Sequence, residues 1–185
     1  VKVEKGAVVD ETTGEDTPTP TTPTVTLPAL GQATATDAKG KPVTTQTQMS
    51  GGISLDGKTF KPTGEAKQLS DSVDLNGRIQ ADPAHVKQKV KVLVTLTYQA
   101  SKDSEEKFYF KLSGAGGLLP WTEGDVASLQ QDPFQSDVTL PATLDVTMYH
   151  GLLLATGVVN VTFGYLLEDG TAVQSPQPVE LTVTE

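Results

Sequence analysis

The side chains able to do chemistry are few and widely spaced. Two histidines are present, His85 after Asp82-Pro83-Ala84 and His150 between Tyr149 and Gly151. A Ser-His-Asp hydrolase needs a nucleophile held against its base, and an acid that orients the base. The sequence carries no Gly-x-Ser-x-Gly turn to supply that nucleophile. Both histidines read as turn residues, and the chain reads as a non-enzyme that needs no cofactor. Zero cysteines exclude disulfides and thiolate-bound metals. The densest carboxylate groups are Asp71-x-x-Asp74-x-Asn76 and Asp103-x-Glu105-Glu106. Calcium needs six to eight oxygens from one tight loop, and neither spacing matches an EF-hand. These acids are expected on a solvated face or loop, with no metal.

What remains are surfaces. A glycan platform would need exposed aromatics, and Tyr109, Tyr149 and Trp121 are the candidates: both tyrosines take the outward parity of their strands, and Trp121 is the lone tryptophan. A protein partner would need complementary charge. Lys87, Lys89 and Lys91 form a basic stripe in a chain of net charge −9. Residues 1–16 hold five acids (Glu4, Asp10, Glu11, Glu15, Asp16) against Lys2 and Lys5, a net of −3. The stripe is expected either to discourage edge-to-edge pairing or to receive an acidic arm from a second copy.

The elements that must position these groups are strands. In VKQKVKVLVTLTYQ the apolar residues Val86, Val90, Val92, Val94, Leu96 and Tyr98 alternate with polar ones, Leu93 excepted. A period of two puts one set on a single face. KFYFKL repeats the pattern with Phe108, Phe110 and Leu112, so the two form an antiparallel hairpin. SVDLNGRIQ alternates likewise, with Gly77 inward, which predicts a bulge or a close backbone approach. Further strands are expected in SDVTL, TLDVTMYH, GLLLA, GVVNVTFGYLL and VELTVT. One short helix of about two turns is expected near Glu123–Gln131, opened by Thr122 and Asp125 as a capping box, stapled by Trp121 and Val126, and stopped by Pro133. The fold class is therefore all-β: an antiparallel two-sheet sandwich, Ig-like or jelly-roll-like, with one short helix and an extended N-terminal arm.

SLDGKTF, residues 54–60, resembles the Asp-box of sialidase-like propellers, Ser-x-Asp-x-Gly-x-Thr-Trp. It lacks one residue of that pattern, has Phe60 for Trp and occurs once, so an ordinary turn at Asp56-Gly57 is expected.

Two units are expected: an arm with a Pro/Thr-rich linker over 1–26, and the sandwich over 27–185. Pro18, Pro20 and Pro23 favour extended chain, and the segment lacks the apolar residues to fold alone. Val1, Val3, Ala7 and Val9 share one parity ahead of it. The acidic balance argues against nucleic acid, and no run of residues is long and apolar enough for a membrane-spanning helix. An opening at Val1 rather than Met is expected of a chain that has lost a signal peptide, which places it outside the cell or on its surface.

In composition (acidic, cysteine-free, Thr-rich, with a Pro/Thr stalk) the chain resembles β-sandwich modules of bacterial surface proteins. The expected function is a structural subunit of an extracellular filament or surface array. Other copies of the chain are the partner, joined head to tail when the N-terminal strand of one inserts into the next. Val1, Val3, Ala7, Val9, Lys87, Lys89 and Lys91 are the expected subunit contacts. The alternative is a stalked adhesion or carbohydrate-binding module contacting surface glycans through Tyr109, Tyr149 and Trp121.

Overall fold

Alternation builds the long strands as expected. The computed structural model describes residues 25–184. Among them, Ser72–Gln80 (β6) buries Val73, Leu75, Gly77 and Ile79 and turns the intervening residues outward. The other strands are Ala29–Gln32 (β1), Thr34–Thr36 (β2), Pro42–Val43 (β3), Gln48–Ser54 (β4), Thr63–Ala66 (β5), Lys89–Gln99 (β7), Phe108–Leu112 (β8), Leu118–Pro120 (β9), Gln135–Thr139 (β10), Thr143–Leu152 (β11), Gly157–Leu167 (β12), Ala172–Gln174 (β13) and Val179–Val183 (β14).

They form the two-sheet sandwich. The small sheet has four strands in the order β1-β4-β6-β11. The large sheet has ten, along the path β3-β2-β13-β12-β7-β8-β9, with β10 beside β7, β14 beside β12 and β5 beside β14. The pairings are antiparallel except β5 with β14, which run parallel. The hairpin around β7 and β8 is present, in the register Leu96↔Phe110 and Tyr98↔Phe108. Between the sheets lies one apolar core.

Phe163 from β12 sits at its centre, 1% exposed. Its ring rests on the cross-strand pair Gly51↔Gly77. A Cβ on Gly77 would lie 2.7 Å from two ring carbons. The close approach expected at Gly77 is therefore made by an aromatic ring.

Leu93, the exception in the β7 pattern, is buried on the other face. It packs with Leu129, Leu166 and Ala172 in a second cluster, flanked by Trp121 and Val126. The cover over this outer cluster is the predicted helix, and here the structure differs. The two-turn helix contracts to a single 3-10 turn, Ala127–Gln130, and no side chain caps its start. Thr122 contributes only its carbonyl, accepting from the Asp125 N–H, so the capping box does not form. Asp125 instead accepts from the Ser128 N–H at 3.2 Å. A helix this short is marginal unless packing holds it, and the packing comes from Leu129, Trp121 and Val126.

Candidate docking site

The lining of the site comes from strands that leave the sandwich end uncovered. The large sheet is wider than the small one. Among the described residues β11 is the last strand of the small sheet, and beside it the inner side of the large sheet is covered only in part, with the Leu153–Ala155 loop on one side of the gap. Leu96, Phe110, Leu112 and Leu118 line a hollow there, of about 320 Å³, closed on the small-sheet side by Leu75 and Tyr149. The volume lies at the lower end of what ligand pockets offer.

Its rim is apolar and exposed. Leu118 and Leu154, which line it, are exposed large hydrophobics, as are Phe108 and Leu152 in the adjoining strands, with Leu152 57% and Leu154 82% open to solvent. The Leu152–Thr156 stretch was expected to continue as a strand. Leu152 instead closes β11 and residues 153–156 form a loop, with Gly151 (φ 152°) before it and Gly157 (φ 135°) after it in conformations that side-chain-bearing residues rarely adopt. The two tyrosine hydroxyls at the site are satisfied locally. Tyr98 donates to the Thr156 carbonyl at 2.7 Å, and Tyr149 donates to the Leu152 carbonyl. Tyr98 and Phe108 pack with ring centroids 6.4 Å apart. Polar recognition within the hollow is thus slight, and its chemistry is the burial of apolar surface.

Tyr149 was expected on the solvent face of β11. A register shift between Thr147 and Tyr149 corrects this, because an extra residue inverts every later side chain of the strand. Met148 is buried and Tyr149 lines the hollow. Tyr109 and Trp121 lie on the outer face of the large sheet, joined by the Trp121 N–H to the Tyr109 carbonyl at 3.0 Å. The indole N–H donates to the Asp125 carbonyl, and the Glu123 carboxylate beside Tyr109 raises its phenol above the ordinary value. The three glycan candidates therefore divide between two sheets.

The lysine stripe is also redistributed. Lys87 precedes the strand in a left-handed turn at φ 70°. Lys89 opens β7, and the Lys91 ammonium donates to the Gln130 carbonyl at 3.1 Å. β7 has partners on both sides, β12 on one and β10 and β8 on the other, so these lysines guard no free edge. Lys89 and Lys91 line a shallow cleft with Asp137 and Glu168, at the opposite end of β7 from the hollow. Val1, Val3, Ala7 and Val9 lie outside the described residues.

Lys111, which sequence reasoning passed over, is buried. Its ammonium donates to the Ser128 carbonyl at 2.8 Å and to the Gln131 carbonyl, terminating the 3-10 turn. Its outward parity in KFYFKL was the available signal; that a turn would cover it was not.

The end of the sandwich remote from the hollow holds a polar network. Tyr165, fully buried, pairs its hydroxyl with the Thr47 hydroxyl and with His85 Nδ1, each at 2.7 Å. Asp82 accepts from the Gln46 N–H at 2.8 Å and the Ala84 N–H at 2.9 Å, and its own N–H donates to Thr47. Those two backbone donors, Gln46 first, hold the Asp82 carboxyl below the usual carboxylate range, and burial pushes the Tyr165 phenol up. The network staples the 82–88 turn and the approach to β4 onto the core. His150 pairs with Asp74 on the outer face of the small sheet. The Asp56 turn forms as expected: one carboxylate oxygen accepts from Ser54, Lys58 and Thr59 at 2.7–2.8 Å. Asn160 lies within β12, paired with Thr97 and Glu180. Among the described residues no cluster of three or more metal-ligating side chains occurs, and no helix is long and apolar enough to cross a membrane.

No protein-family model matches the chain, and no curated protein matches it. Among solved structures it is similar to one titled "Crystal structure of the C-terminal domain of wzt", with 14% identity over 84% of this chain and 76% of that one, at a TM-score of 0.37. A likeness of that size bears on no functional question here.

Proposed function

We propose that this chain is a structural subunit of an extracellular filament or surface array, connected through its N-terminal strand to a neighbouring copy. The observation behind the reading is the incomplete end of the sandwich, where an apolar hollow opens between exposed leucines. Exposed apolar surface gathered at one place is characteristic of interaction sites. A surface that accepts a strand from one copy while its own strand goes to another does not close, and so propagates as a chain. The test compares the full chain with a variant lacking residues 1–22, by light scattering and negative-stain electron microscopy. The full chain is expected to form concentration-dependent polymers and the shortened one to stay monomeric. Polymers of unchanged length without residues 1–22 would overturn the reading.

A further inference from the structure

Resting on that reading, we infer that the acceptor is the hollow together with the edge of β11 that is unpaired among the described residues, and that its occupant is the segment 1–9 of a second copy, with Val1 and Val3 seated inside. Three observations converge on it.

The first is the edge. Among the described residues β11 pairs with β6 on one side and ends the small sheet on the other. A strand laid along that edge would complete its backbone donors and acceptors and would extend the small sheet toward β8 and β9, beside the Leu153–Ala155 loop that also lines the hollow. Its alternate side chains would then meet Leu96, Phe110 and Leu118, which line the hollow.

The second is where the remaining chain departs. Pro28 accepts from the Gly51 N–H, and β1 runs antiparallel to β4. Residues 25–27 therefore lead toward Ile53, which pairs with Leu75, which pairs in turn with Tyr149. Leu75 and Tyr149 line the hollow. Val25, the first described residue, thus lies toward the sandwich end where the hollow opens, at the opposite edge of the small sheet.

The third is length and pattern. Residues 10–24 cover roughly 45 Å at ~3.1 Å each if extended, as Pro18, Pro20 and Pro23 favour. The small sheet is only about 14 Å across from β1 to β11, three strand spacings. At that reach segment 1–9 can extend beyond its own small sheet to the hollow of a neighbouring copy. Val1 and Val3 share a parity, and Lys5, which follows in it, is long enough to carry its ammonium out to water while its stem lies on the rim. The lysines at the far end of β7 play no part in this contact.

The absence of cysteine makes a direct test clean. Full-length chains carrying Val3→Cys are mixed with full-length chains carrying Leu118→Cys, oxidised mildly, and resolved on a non-reducing gel. A third population with Lys89→Cys replaces the Leu118 variant as control. A disulfide-linked heterodimer several-fold more abundant with Leu118→Cys than with Lys89→Cys is the expected result. Equal yields overturn the inference, as does a doubly substituted chain (Val3→Cys with Leu118→Cys) that closes on itself as a monomer at every concentration. Light scattering of the unsubstituted chain separates this claim from the broader one. Polymers without the Val3–Leu118 link sink the acceptor assignment and leave the assembly reading standing. The link in material that never grows beyond small oligomers supports the acceptor and sinks the filament.

Discussion

Gly77→Ala tests the core geometry at one atom. The added methyl would sit 2.7 Å from Cε2 and Cζ of Phe163 and 3.1 Å from Cδ2. The ring has little room to slide sideways, because it lies close over the Gly51 backbone as well and is 1% exposed. Relieving the clash must shift β12 or bend β6, and overpacking of this kind costs about 1–3 kcal/mol. The sign is informative. Gly77 is not among the positive-φ glycines, so with free space an alanine would stabilise by about 0.4–1 kcal/mol through the unfolded chain. A net loss of about 1–2 kcal/mol is expected, or a fall in Tm of roughly 2–8 °C for a domain of this size. Urea unfolding checks it as a lower midpoint at unchanged slope. Combining Gly77→Ala with Phe163→Leu should recover at least ~0.5 kcal/mol relative to additivity, because the two share one contact. An alanine variant as stable as the parent, or more stable, would refute the placement of Phe163 over the glycine pair.

Tyr165→Phe removes a hydroxyl paired with both Thr47 and His85; leaving the buried Thr47 hydroxyl short of a partner should cost about 1–3 kcal/mol in a thermal melt. A change below ~0.5 kcal/mol would mean the network contributes nothing to stability. Asp82 has a folded-state pKa below its unfolded one, so its stabilisation is present above the unfolded value near ~3.9 and is lost as pH falls through the folded pKa. The gap between the parent and Asp82→Asn should therefore be full at neutral pH and shrink in acid unfolding below about pH 4; a gap independent of pH contradicts the assignment. Lys111→Met keeps the stem but removes the donors to Ser128 and Gln131; amide exchange across residues 127–131 should quicken by roughly tenfold or more, since hydrogen bonds from charged groups contribute about 1.5–3 kcal/mol. Unchanged exchange there would show that Leu129 and Trp121 alone hold the turn.

The strands were legible wherever one face is wet and the other dry. β6 and β14 follow their written alternation residue by residue, and β7 follows it from Val90 to Val94. The Asp56 turn was legible because its capping is local, three donors within three residues of Asp56 reaching one carboxylate. The errors fall where a distant segment intervenes. A pattern of Thr122, Asp125, Trp121 and Val126 describes a helix start, but only four residues of 3-10 turn form there, packed on the outer cluster of Leu93 and Leu166. Tyr149 changed face because one extra residue in β11 is invisible to a strict period of two. Lys91 was read as part of a surface stripe and Lys111 was passed over, yet both ammonium groups end on carbonyls of a turn some 17 to 39 residues away.

The candidate site divides in the same way. Sequence alone determined the ingredients: an apolar LLLA run between glycines, valines of one parity in residues 1–9, a cysteine-free acidic chain with strand-rich patterning and no nucleophile motif. These follow from residue type and local spacing, which the chain carries wherever it goes. Only the tertiary structure decided that one sheet is wider than the other, that β11 is an edge while the lysine-bearing β7 is not, and that the polar staple and the apolar hollow stand at opposite ends of the sandwich. Strand order and sheet width depend on pairings between residues far apart in the chain, and alternation of period two is the same for an edge strand as for a central one.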